Sequence, residues 1–224
     1  MFSVSAGIPA GISTQVRLAY QAFGVGELMR TTTNTNGMTT LSGEFLLNCN
    51  PGPAVTVELI IGQVSPGPVT TQEQSLLSFT AFHYNVTNDR STAWSVFRNS
   101  NWTTGSNSID PFRFDATEVL TVGSVSWSRS TYEVTISVTG NYYVYISGAT
   151  QPSRAFGMTL QRNGNNVFGV YRSGTNGNGV DTLGHGGVVY LRERDRLKVI
   201  GEPNTAGYSG ALRRHASFFG FLII

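Results

Sequence analysis

From Leu76 onward the chain runs in short stretches that alternate or cluster apolar residues, each closed off by turn residues. The pattern predicts strands at Ser78–Tyr84, Trp94–Arg98, Glu118–Val122, Tyr132–Val138, Tyr142–Ser147, Met158–Arg162, Asn166–Tyr171, Val188–Arg192, Arg196–Ile200 and Phe218–Ile224. Tyr132–Val138 shows the rule most clearly, apolar then polar, because successive side chains of a strand point to opposite faces. Asn163-Gly164 sits between two such runs. Both residues accept positive φ, so the pair predicts a two-residue hairpin. No segment holds a helical period. Short strands at this spacing predict a sandwich or closed barrel. The run Phe218-Phe219-Gly220-Phe221-Leu222-Ile223-Ile224 does not alternate at all. It predicts a central strand buried on both faces, with Gly220 where a side chain would not fit.

The first 75 residues read differently. Strands are predicted within Ile12–Tyr20, Glu44–Asn48 and Ala54–Val64, with strong turn signals at Asn50-Pro51-Gly52-Pro53 and Ser65-Pro66-Gly67-Pro68. A boundary near Thr70–Ser75 divides the chain into a β-rich segment, 1–75, and a larger β domain, 76–224. Arg30–Thr40 is polar and suits either an exposed loop or a contact surface. Residues 1–75 carry only Arg17, Arg30, Glu27, Glu44, Glu58 and Glu73 as charges. So little charge predicts a segment covered by something else, such as a partner, a shell (a capsid or another large protein assembly) or its own trimer axis.

Composition supports this picture of a covered surface. Hydrophobic residues make up 40% of the 224, enough for a packed core, while charged residues make up 12%. That is roughly half the usual charged share, and it predicts a surface partly hidden by partner subunits. A net charge of +2 is too small to suggest a nucleic-acid coat. Cys49 is the single cysteine, so no intrachain disulfide forms. Met1–Gly11 lacks the basic and apolar regions of a signal peptide, and no stretch reaches the ~18 apolar residues of a membrane span. The expectation is a protein made in the cytosol that stays there or is built into a particle, without membrane insertion.

Candidate chemistry adds little. His83, His185 and His215 lack metal-ligand spacing, so they read as loop or interface residues. No metal or cofactor is expected. No Gly-x-Ser-x-Gly elbow is present. Asp110, Asp115 and Glu118 flank Arg113 and read as a solvated or salt-bridged loop rather than a glycosidase pair. Ser173-Gly174-Thr175-Asn176-Gly177-Asn178-Gly179 reads as a flexible loop, because a phosphate cradle needs a following helix. Trp102 beside Asn101 has two readings: a stacking platform for a cell-surface glycan, or a buried tryptophan at a strand end or subunit contact. The sequons Asn85-Val86-Thr87 and Asn101-Trp102-Thr103 are taken as chance matches. Arg192-Glu193-Arg194-Asp195-Arg196 alternates in sign and reads as a self-compensating edge or interface strand. Arg213-Arg214 precedes the last strand, and aromatic residues do not interleave with a basic patch, so nucleic acid is discounted. No catalytic site is predicted.

Four fragments resemble the tumour necrosis factor-like jelly roll and, more specifically, the complement C-one-q-like globular head. They are Tyr132 through Gly140-Asn141-Tyr142-Tyr143-Val144-Tyr145, the hairpin Leu160-Gln161-Arg162-Asn163-Gly164, Val188-Val189-Tyr190-Leu191 with Asp195-Arg196-Leu197, and the closing Phe218-Phe219-Gly220-Phe221-Leu222. The resemblance implies an all-β, antiparallel jelly-roll sandwich over residues 76–224, preceded by the smaller β-rich segment. It also implies a homotrimer, with Tyr142, Tyr143, Tyr145, Phe219 and Phe221 near the threefold axis. Arg194 stands where the family has glycine, which predicts a rebuilt turn there. No collagen repeat precedes the head, and no acidic cluster matches a calcium site. The expected role is a virion decoration or spike protein that docks through residues 1–75 and projects its jelly roll. The alternative is a secreted, extracellular recognition module, and an enzyme ranks last.

Overall fold

A computed structural model of the chain describes residues 2–8, 14–20, 24–31, 39–45, 57–63, 78–81, 92–98, 100–115, 120–151, 154–172, 182–208 and 216–223. Among these residues every regular element is a strand and every strand pairing is antiparallel. The N-terminal part forms two three-stranded sheets. One joins β1 (Phe2–Ile8), β4 (Thr39–Phe45) and β6 (Ser78–Ala81) in the order β4-β1-β6. The other joins β2 (Thr14–Tyr20), β3 (Gly24–Thr31) and β5 (Val57–Gln63) in the order β3-β2-β5.

Two larger sheets carry the rest. The seven-stranded sheet has β12 (Gly140–Thr150) between β15 (Thr182–Leu191) and β18 (Ala216–Ile223). It continues through β7 (Ala93–Arg98) to β9 (Leu120–Val122), while β17 (Ala206–Tyr208) joins the far end of β12 and carries β8 (Trp102–Thr103). The five-stranded sheet runs β10 (Ser126–Ser128), β11 (Glu133–Thr135), β16 (Arg196–Gly201), β13 (Phe156–Arg162), β14 (Asn165–Arg172). Asn163 and Gly164 join β13 to β14 with φ of 51° and 83°, the conformation for which that dipeptide is suited.

The core lies between these two sheets. Trp94, Val144 and Phe218 from one meet Met158, Leu160 and Val199 from the other, all fully buried. The final strand is buried on both faces from Ala216 to Leu222, as its unbroken apolar run predicts. Phe218 and Leu222 enter the inter-sheet core, while Phe219 and Phe221 lie on the opposite face. Gly220 sits under the Trp94 indole, and a Cβ there would also come 2.9 Å from the Tyr143 carbonyl.

The boundaries of several strands differ from expectation. β15 begins at Thr182 and crosses Gly184-His185-Gly186-Gly187, which reads as turn-like in sequence. The short strands β8, β10 and β17 carry too few residues to show a period, and β1 and β3 lie in stretches where the pattern is weak. The Ser173–Gly179 loop, His83, His215, Glu118, Arg213-Arg214 and the Asn85 sequon lie outside the described residues.

Candidate interaction surface

Opposed residues in an antiparallel ladder share a face. The ladder therefore sets Tyr143 between Val188 and Phe221, and Tyr145 between Gly186 and Phe219, on the outer side of the seven-stranded sheet. Ring centroids are 5.2 Å apart for Tyr145–Phe219 and 5.6 Å for Tyr143–Phe221, a continuous aromatic surface. Tyr145, Phe219, Phe221 and Ala93 are buried, with Tyr143 packed against them. Toward the end of the sheet where the chain reaches Tyr190 and Ile223, the same face opens. Val188 is 62% exposed, Tyr190 53% and Ile223 42%.

The glycines of β15 make this surface possible. Tyr145 reaches across the strand so that its ring and hydroxyl occupy the space a side chain on Gly184 would need. Tyr143 does the same at Gly186, where its ring would lie 2.8 Å from an added Cβ. The face is not wholly apolar. Ser147 and Ser217 share a buried hydrogen bond of 2.7 Å, while the Ser95 hydroxyl is buried without a partner. An unsatisfied buried hydroxyl costs about 1–3 kcal/mol.

Two sequence-selected residues do not belong to this surface. Tyr142 is fully buried between the sheets, because alternation turns it away from Tyr143 and Tyr145. Its hydroxyl donates to the Val138 carbonyl at 2.7 Å and its ring lies 6.1 Å from that of Trp94. Its assignment to a threefold interface is corrected to the sandwich core. Trp102 is also buried, edge-on to Phe112 at 4.8 Å and Phe156 at 5.9 Å. The Arg98 guanidinium lies over Trp102 and Phe112 and donates to the carbonyls of Ser100, Arg113 and Asn101. Burial draws the Arg98 pKa below its usual value, with Asp115 opposing the shift. The Trp102 ring thus has no free face for a sugar, and the buried reading holds, although Asn101 is exposed.

The turn after β15 is the second organised feature. Arg192–Asp195 closes with the Asp195 N–H donating to the Arg192 carbonyl at 3.0 Å. The Asp195 carboxylate is buried and accepts from the Arg192 N–H at 2.7 Å, the Asn163 amide at 2.6 Å and Arg162 Nε at 2.8 Å. Desolvation pushes its pKa up, but these donors outweigh it and hold the carboxyl below its ordinary value. Arg194 adopts φ 72°, the left-handed region that glycine enters freely. The chain therefore departs from glycine in residue type while keeping a glycine-like backbone. The sign-alternating stretch is a turn leading into β16, not an edge strand, and its buried acid no longer compensates its neighbours.

Other candidates resolve into local pairs. Asp110 is salt-bridged to Lys198 at 2.6 Å, and Asp115 accepts from Ser100 at 2.6 Å. His185 lies at the seam of the two sheets, its ring 4.9 Å from Phe168 and its Nδ1 2.9 Å from the Gly169 carbonyl. Among the described residues no three His, Cys, Asp or Glu side chains converge on a metal-sized site. Val188 and Tyr190 are the surface residues that sequence reading left out. Their signal was the unbroken run Val188-Val189-Tyr190-Leu191, apolar on both faces.

Two antiparallel sheets packed face to face in this strand order define a jelly-roll head. The chain belongs to the C1q domain family, whose profile matches residues 93–223, more than half of the sequence. Domains of this family are typically non-enzymatic, usually form homotrimers and are often extracellular or secreted. Among solved structures, Eiger TNF from S. frugiperda is similar at 14% identity over 60% of this chain and 91% of that one, with a TM-score of 0.46. No curated protein matches the chain.

Proposed function

We propose that this protein is a non-enzymatic homotrimer whose jelly-roll head displays a recognition surface and whose N-terminal segment, residues 1–75, docks on a larger assembly, the arrangement of a virion decoration or spike protein. The observation that carries the trimer is the outer face of the seven-stranded sheet. Tyr145, Phe219 and Phe221 at its centre are already buried within the chain, and Val188, Tyr190 and Ile223 at its open end are the exposed apolar residues. Exposed apolar side chains gathered on one face of a sheet mark a contact site. A second copy of the chain is the partner that family membership supports. The docking role rests on the low charge of residues 1–75, which hold six charged side chains.

Multi-angle light scattering at micromolar concentration tests the assembly. A trimeric mass is expected, and a stable monomer would count against the reading. Co-sedimentation with intact virions tests the docking. Because β6 pairs with β1, the truncation should remove residues 1–91 rather than stop inside that sheet. Full-length protein should pellet with the particles and the truncated head should not. Family membership also favours a second reading, a secreted recognition module. Under that reading the protein is recovered from the medium of producing cells and is absent from purified particles.

A further inference from the structure

We infer that the Arg192–Asp195 turn, with Arg196, is a binding site for a sulfated or carboxylated polysaccharide. The sequence alone disguises it, because Asp195 and Glu193 stand between three arginines. In the fold Asp195 is turned inward and spent on Arg162, Asn163 and the turn backbone. Arg192, Arg194 and Arg196 are then all exposed residues, accompanied by one exposed acid, Glu193. Glu193 reaches only the edge of Arg194, at 3.9 Å, and its side chain is itself 62% exposed.

The turn is also a rigid mount. The Arg194 N–H donates to the Ile136 carbonyl at 2.7 Å and the Glu193 N–H to the Thr139 hydroxyl at 2.9 Å. The Arg196 N–H donates to the Asn163 side chain at 2.9 Å. Backbone held this firmly lets the arginines bind with little ordering cost beyond their own side chains. Arg194 occupies a strained left-handed conformation with its side chain 91% exposed, where glycine would fit without strain. A strained residue whose side chain contacts little of the protein marks a position held for function rather than packing.

The guanidinium fork matches the paired oxygens of sulfate and carboxylate. The Arg192–Arg196 segment has no aromatic side chain on which a base could stack, which single-stranded nucleic acid needs. A repeating anionic sugar polymer would engage several copies of the turn at once, and this part rests on the proposed trimer.

Full-length protein is titrated with heparin, with chemically desulfated heparin and with an oligothymidine, while light scattering records its mass. Heparin binding is expected at about 50 mM salt, weakening steeply as salt rises. R194S should lower the affinity about tenfold, the loss of one charge-assisted contact. R192S/R194S/R196S should nearly abolish binding with mass and melting temperature unchanged. Should the triple variant fail to fold, R194S alone decides, since that side chain is 91% exposed. Absence of heparin binding by folded trimer, or affinity unaffected by R194S, overturns the inference. Equal arginine-dependent binding of oligothymidine overturns the choice of polysaccharide. A monomer that still binds through Arg194 removes the trimer and leaves the site standing.

Discussion

The two large sheets share an inner core but carry very different side chains on their outer faces. On the five-stranded sheet the outward positions of β13, β16 and β11 are Thr159, Gln161, Lys198, Arg196 and Thr135, polar residues suited to water. On the seven-stranded sheet the outward positions of β12, β18 and β15 are Tyr143, Tyr145, Phe219, Phe221, Val188 and Tyr190. The difference lies in the strands' own alternation. Arg196-Leu197-Lys198-Val199 switches between polar and apolar, whereas Phe218-Phe219-Gly220-Phe221-Leu222 does not. A sheet that alternates needs one partner, and a sheet that does not needs two. The exceptions on the polar face are Ile200 on β16, opposite Thr159, and the exposed Tyr171 and Val167 on the edge strand β14.

The comparison can be broken from several sides. The largest effect is expected from Phe218→Ala, which opens a cavity in the shared core. It should cost about 3–5 kcal/mol in urea denaturation, a large part of a domain's stability. Next comes the outer aromatic face. Val188→Asp with Tyr190→Asp should dissociate the trimer in light scattering. The matched control on the other sheet, Thr135→Asp with Gln161→Asp, should leave the mass unchanged and shift stability by no more than about 0.5 kcal/mol per site. If both pairs behave alike, the distinction between the faces fails.

Acid should act on the arginine turn. The Asp195 carboxyl is held below its ordinary value in the fold, so the unfolded chain takes up its proton first as pH falls. Its contribution is complete at neutral pH and is lost as pH drops below about 4 through the folded-state value. Comparing Asp195→Asn with the parent in denaturant titrations across that range should show a shallower fall for the variant. The smallest effects concern strain and an orphan hydroxyl. Arg194→Gly should relieve the left-handed conformation and stabilise by roughly 1 kcal/mol at most, the gain being offset by the flexibility of glycine. Ser95→Ala should stabilise the isolated head by about 1 kcal/mol. Weakened assembly in the same variant would instead give Ser95 a partner across the interface.

Much of the head was legible because its signals are local. The Asn163-Gly164 hairpin follows from two residues that accept positive φ, and the burial of the last strand follows from its missing alternation. Other features depend on residues far apart in sequence. The Gly184-His185-Gly186-Gly187 stretch reads as loop until the ladder sets it beside Tyr143 and Tyr145, some 40 positions earlier. Tyr142 was grouped with its neighbours because composition marks the strand as aromatic, while the assignment of each ring to a face needs the register. Asp195 looked like a counter-charge because its partners, Arg162 and Asn163, belong to a different hairpin.

The tyrosine rings laid over Gly184 and Gly186 also act as a key for strand assembly. A slip of two residues keeps the same faces of β12 and β15 together, so hydrophobic patterning alone does not forbid it. It would, however, set one of the two rings against Val188 or Thr182, neither of which is a glycine. Only the native alignment offers two bare backbone positions, two residues apart, to two rings with the same spacing. The glycines therefore encode the correct joining of strands that are made far apart in time as the chain emerges.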